Sequence, residues 1–293
     1  MTPSAAGYTL NQSVKDDKFS VDDILQYNLS LQVSRELFRL CVTDIQNNRC
    51  LLLEDYQIFN IQSNSALFTQ LDEIFRNHTV LEAGFWKSIK LGIKNKSFSL
   101  VPDSLFEEEF ARDYLSINST INGTEVYYYK QKTSETINIF AADSEIIDWF
   151  KRKYPQKNIK VFHFTSPVIE GVMIDRKLKD EKSLYIVGEK NMLTILVKAD
   201  NKLNYCNSFT YYSPEDFIYF VMFVFDQLKL NPEVTPVVLW GDISTDSPVY
   251  NKLYKYIRNV SFGNKPAALF FGYQFDEIFD HRFFDLYNMH FCD

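Results

Sequence analysis

Apolar and polar positions alternate in blocks along residues 184–258, in an order that predicts one fold unit. Residues 185–187 form a short apolar run that stops at Gly188-Glu189-Lys190-Asn191. Residues 192–197 form a second run, stopped by Asp200-Asn201, and residues 203–212 a third. Turns this short join only antiparallel neighbours, so the pattern predicts a three-strand meander. A helix follows. Ser213 is suited to cap it, Pro214 to open it, and Glu215 and Asp216 put negative charge at the positive end of the helix dipole. Residues 217–225 are then apolar or aromatic without a break, which predicts a helix covered nearly all round. The run is shorter than the about 20 apolar residues of a bilayer crossing. Asn231-Pro232 ends the helix. Residues 236–240 predict a buried parallel strand running into Gly241-Asp242. Asp246 or Ser247, followed by Pro248, opens a last helix through Ile257.

A similar order opens the chain. Residues 29–33, 37–42 and 50–59 predict strands, with turns at Ser34-Arg35-Glu36 and over 44–49. Ser63 or Asn64 precedes a helix with Leu67, Phe68, Leu71, Ile74 and Phe75 on one face. A strand-like pattern lies within 79–93, and 98–101 is a strand ended by Pro102. LSLQVSRELFRLCVTD and LYIVGEKNMLTILVKAD share this order, which predicts duplication of one supersecondary unit. Between the two units, residues 126–129 and 137–141 predict strands, 144–154 a helix ended by Pro155, and 158–164 a strand. Ser166-Pro167 opens a helix to about Leu178, and the charged run 177–182 reads as a surface connection. The expected division is a loose arm over 1–20, a first domain over 21–165 and a second over 166–293.

Composition narrows the function classes. The 293 residues are 46% apolar and 24% charged, as in soluble globular proteins, and 16% aromatic. A net charge of −7 argues against a nucleic-acid partner, because phosphate binding needs clustered Lys and Arg. Lys151-Arg152-Lys153 reads instead as a solvated helix end. Cys41, Cys50, Cys206 and Cys292 have no metal-binding spacing and suit small apolar packing in a reducing compartment. The opening residues lack a secretory pattern, so a cytoplasmic location is expected and the sequons at Asn118 and Asn122 carry no weight. His78, His163, His281 and His290 are too scattered for zinc, and His163 on an apolar strand reads as a core residue. Glu107-Glu108-Glu109 reads as a solvated face. The chain has no GxSxG, P-loop or GxGxxG motif.

Two β-β-β-α-β-α units in tandem resemble the actin-like ATPase fold. That is an α/β architecture of two tandem ribonuclease H-like domains, each a mixed sheet opened by an antiparallel three-strand meander. The segments SFSLVPDSLF, CNSFTYYSPEDFIYF, LWGDISTDSPVYNKLYKYI and HRFFDLYNMHFCD resemble those of an uncharacterised bacterial protein family built on that fold. The likeness spans residues 27–293, and pilus-assembly actin-like proteins are more distantly similar. The resemblance implies an ATP and Mg²⁺ site between the halves, held by an Asp-x-Gly type of turn in each. Here the first turn is Gln32-Val33-Ser34, without Asp or Gly. The second is Ile186-Val187-Gly188, with Ile186 where the carboxylate would stand. The adenosine turn of the group has paired glycines, and Leu239-Trp240-Gly241-Asp242 keeps one. The expectation is a degenerate site with no catalytic residue, no metal ligand and no ATP hydrolysis. Gly188, Glu189, Gly241 and Asp242 are its cleft candidates, with Asp246 a further carboxylate. This makes the chain a scaffold or interaction protein with a protein partner and no membrane span. Weak ATP binding is the alternative. Tyr127-Tyr128-Tyr129 is a candidate contact strand, since alternation puts Tyr128 opposite its neighbours.

Overall fold

A computed structural model of the chain describes residues 7–119, 121, 123–175 and 182–292. Strand β1 (Tyr8–Lys15) is followed by the meander β2 (Tyr27–Val33), β3 (Leu37–Asp44) and β4 (Arg49–Ile58). Helix α1 (Asn64–Asn77) starts at Ser63, whose hydroxyl accepts from the Ala66 amide at 3.2 Å. Strand β5 (Ser88–Ile93) then runs parallel to β2. Next come β6 (Phe98–Pro102), α2 (Ala111–Ser116), β7 (Glu125–Lys130) and β8 (Thr136–Ala142). Helix α3 (Ser144–Lys153) leads to β9 (Ile159–His163), which is parallel to β5, and then to α4 (Thr165–Ile174). The second meander is β10 (Ser183–Glu189), β11 (Met192–Ala199) and β12 (Lys202–Thr210). Helix α5 (Pro214–Gln227), β13 (Val237–Gly241), α6 (Pro248–Tyr256), β14 (Val260–Phe262) and α7 (Phe284–Asn288) complete the order.

The strands form a sheet ordered β1-β4-β3-β2-β5-β9, a second ordered β12-β11-β10-β13-β14, and a small one ordered β6-β8-β7. In both larger sheets an antiparallel meander is continued by two parallel strands. Helices α1 and α3 cover one face of the first sheet, with Phe75, Trp149 and Phe150 meeting edge to face. Helices α5 and α6 cover one face of the second sheet, and α4 packs on its other face. Ser213 and Asp216 form a reciprocal capping box at the start of α5, and the Ser247 hydroxyl caps α6.

Two expectations need correcting. The arm over 1–20 is not loose where it is described: β1 adds an antiparallel edge strand to β4, and the buried Asp16 carboxylate meets Arg49 at 2.8 Å. Nothing in its own pattern announces it, because Val14 is the only residue of β1 that is buried. Helix α5 is not covered all round. Phe217, Val221, Val224 and Phe225 are buried against the sheet, but Tyr219 is 63% exposed and Phe223 42% exposed. The strands over 98–142, expected between the two units, make a small sheet of their own. The end of the expected helix, 176–178, and the surface connection, 177–181, lie outside the described residues, as do residues 120 and 122 of the two sequons.

The end of the chain crosses back. Phe283, Leu286, Tyr287, Met289 and Cys292 pack with Val14, Cys41, Cys50, Leu53 and Phe162 of the first sheet. The segment read as part of a second domain therefore closes over the first sheet. Among the described residues no helix is long and apolar enough to cross a membrane.

Candidate functional site

The β2–β3 turn and the β10–β11 turn face each other across a cleft of about 420 Å³. Ser34, Arg35 and Glu36 stand on one wall, Lys190, Asn191 and Met192 on the other, and Arg39, Lys94, Glu189 and Asp242 on the floor. A volume of this size is within the about 300–1,000 Å³ of ligand pockets.

The four residues singled out in the sequence come together here. Gly188 and Gly241 are partners in the parallel β10–β13 pair, and the Asp242 amide donates to the Gly188 carbonyl at 2.8 Å. Gly241 has φ +100°, and a Cβ there would overlap the Gly188 carbonyl oxygen. Its glycine is thus required by a close backbone approach. Glu189 and Asp242 both point at Arg39. Asp246 is exposed and does not line the cleft.

The floor is a buried ion network that local sequence patterns did not reveal. Arg39 on β3 donates through Nε to Asp55 at 2.6 Å and through one terminal nitrogen to both oxygens of Glu189, at 3.0 and 3.1 Å. Its other terminal nitrogen is 4.0 Å from Asp242. Lys94, just past β5, pairs with Glu189 and, at 3.0 Å, with Asp285 on α7. The Gln32 amide donates to the same Asp285 oxygen at 2.8 Å. Arg282 meets Asp242 at 2.8 Å. The ring of Phe283 meets both the Arg39 and the Arg282 guanidinium, 5.1 and 4.7 Å from its centre. Phe283 holds φ +57°, a left-handed conformation that costs a bulky residue about 1–3 kcal/mol and persists only where its surroundings impose it.

Burial disfavours the charges of Arg39, Lys94, Glu189 and Asp242, and the partners reverse that effect for the first three. Burial alone would push the Glu189 carboxyl up, but Arg39 and Lys94 hold it down to about 2. Burial would lower Arg39 and Lys94, and the surrounding carboxylates raise both instead. Asp242, one third exposed, goes the other way: burial and the Glu189 charge raise it, against Arg39 and Arg282. The network crosses the molecule, since Arg39 lies in the first sheet and Lys94 just past its strand β5, while Glu189 ends the first strand of the second meander and Asp285 lies on the returning tail.

The sequence signal for these residues was weak but present: Arg39 and Asp55 interrupt apolar strands. His163 is a core residue as expected. Its ring bonds Thr165 at 2.6 Å and the Asn95 carbonyl at 3.0 Å, and burial pushes it down to about 3. Cys41 and Cys50 are buried thiols 3.4 Å apart. Lys151, Arg152 and Lys153 sit in the last turn of α3. Among the described residues no cluster of His, Cys, Asp and Glu is arranged to hold a metal ion.

The fold has known relatives. A crystal structure of a Bacteroides thetaiotaomicron protein with the actin-like ATPase fold and unknown function superposes with a TM-score of 0.80 at 24% identity, over 94% of this chain and 99% of that one. The PilM-PilN type IV pilus biogenesis complex contains a chain that superposes with a TM-score of 0.59 at 11% identity, over 90% of this chain and 97% of that one. No curated protein matches the chain in sequence. The chain has the actin-like ATPase fold, and, as residues 16–260 match the family model described as protein of unknown function (DUF3822), it belongs to that family.

Proposed function

We propose that this protein is a non-catalytic member of the actin-like group that works by binding another protein, with the charges on the floor of its cleft engaged in internal ion pairs where a relative would hold a nucleotide. The Arg39–Glu189–Lys94–Asp285 network carries this reading. The floor cations Arg39 and Lys94 are already paired with the chain's own carboxylates, and the carboxylates of Glu189 and Asp242 stand where further negative charge would be repelled. Ile186 is buried in the apolar core and offers no metal ligand. The residues of the floor therefore do not fit ATP and Mg²⁺. The matching strand order of the two large sheets supports an origin by internal duplication. The PilM neighbour is described in a complex with PilN, which supports a protein partner here.

The second reading, weak nucleotide binding without turnover, rests on the cleft's volume and on Gly188 and Gly241. Calorimetric titration with ATP and Mg²⁺ separates the two. No heat is expected at millimolar ligand. Heat that a folded Met192→Trp variant loses, its new ring filling the cleft, would overturn the first reading.

A further inference from the structure

The small sheet and α2 enclose an apolar core of their own, built from Val101, Leu115, Ile137 and Ile139. A second apolar group lies over it, with half-buried Phe106 and Tyr114 packed against this core. The Phe106 ring meets Tyr128 at 5.0 Å and Tyr114 at 6.1 Å, and the Tyr114 hydroxyl donates to the Leu105 carbonyl at 2.8 Å. These residues are contiguous, yet Leu105 is 65% exposed and Tyr128 42% exposed. Phe110, close by in sequence, is also exposed. Adjoining exposed apolar side chains differ from the scattered ones that any surface carries.

The rim has one sign of charge. Glu107, Glu108, Glu109 and Asp113 are exposed, and Glu108 stands near the Tyr128 hydroxyl and raises its pKa. Over residues 103–125 the only cation is Arg112, whose guanidinium bonds the Ile121 carbonyl at 3.4 Å. Lys130 is engaged by Asp103 at 2.7 Å. Among the described residues no Lys or Arg forms an ion pair with the four rim carboxylates.

We propose that this acid-rimmed aromatic face, formed by Leu105, Phe106, Tyr114 and Tyr128, docks a segment of a partner protein in which Lys or Arg side chains flank one or two large apolar residues. Apolar anchors supply affinity at such a contact, and complementary charge supplies orientation and rate. Nucleic acid and anionic lipid carry the same sign as the rim and are repelled by it. The proposal rests on the interaction reading above and assigns it a surface.

Selection of random displayed peptides on the full chain tests it. Peptides rich in Lys or Arg with an apolar residue are expected, and their affinity should fall as salt screens the rim. A Leu105→Ser, Tyr128→Ser variant should bind the selected peptides at least about tenfold more weakly. So should a variant with Glu107, Glu108 and Glu109 each changed to Lys; all these side chains are exposed, and a thermal melt verifies folding. Peptides that bind both variants as well as the parent overturn this surface and leave the interaction reading standing. Selection of acidic peptides, or of none, overturns the surface as well. The calorimetric result with ATP bears on the interaction reading alone.

Discussion

Replacing Lys94 by Met tests whether the ion network holds the two halves together. The Lys94 side chain is 4% exposed and is shared by Glu189 and Asp285. Removing it leaves Glu189 with Arg39 but leaves Asp285, itself 1% exposed, with neutral donors only: the Gln32 amide and a backbone N–H. Breaking a buried pair in this way costs about 3–5 kcal/mol, much of it the uncompensated charge. A chain of this size loses about 2 °C of melting temperature per kcal/mol, so the expected fall is about 6–10 °C. Adding Asp285→Asn removes the stranded charge, keeps an acceptor for Gln32, and should return most of the loss. Urea titration of the parent, both single variants and the pair gives the coupling directly. The pH dependence adds a second readout. Glu189 is held well below the ordinary carboxylate range, so its contribution is present above about pH 4 and is lost as pH falls toward 2. With Lys94 gone, only Arg39 opposes burial at Glu189, so its share of the acid loss should be smaller and should be complete at higher pH. A Lys94→Met chain within about 1 kcal/mol of the parent would refute the reasoning, because that is the range of solvent-exposed pairs.

Two further outcomes follow from geometry already described. Gly241→Ala puts a Cβ into the Gly188 carbonyl at φ +100° and should destabilise by more than about 1 kcal/mol, whereas Gly188→Ala meets the side chain of Ile243 and, at 3.4 Å, the Phe217 ring but no backbone, and should cost less, as thermal melts would register. His163 is neutral when folded and charges near 6.5 when unfolded, so its share of stability is full above that pH and falls below it, by about 1.4 kcal/mol at pH 5.5. A His163→Gln variant should lack that slope in denaturation measured across the pH range.

What the sequence disclosed follows the range of the interactions involved. Helices α5 and α6 were legible because Ser213-Pro214 and Ser247-Pro248 are local signals, and the meanders because their turns are short. Strand β1 was hidden because its partner is β4 and its side chains face mostly outward, so no apolar period marks it. The exposed side of α5 was hidden because composition tells how apolar a helix is and not which neighbours arrive to cover it. Gly188, Glu189, Gly241 and Asp242 were singled out through the resemblance to the turns of the actin-like group, and of these Glu189 and Asp242 line the cleft. Arg39 and Lys94 were not singled out, since their partners lie 150 and 191 residues away. A charge within an apolar strand reads as a solvated residue until the fold brings its counter-ion.

The returning tail has a consequence for how the chain is made. Residues 269–292 leave the ribosome after both meanders, yet they supply the lid over Cys41, Cys50 and Phe162 and the carboxylate for Lys94. The carbonyls that receive the buried Lys90 ammonium, those of Met289 and His290, also belong to this segment. During synthesis the first sheet therefore waits with an uncovered apolar face and with lysines that have not met their final acceptors. Nascent chains arrested before residue 269 should expose that face to chaperones or to other nascent copies, and the first half should reach its native, protease-resistant state only once the tail has emerged.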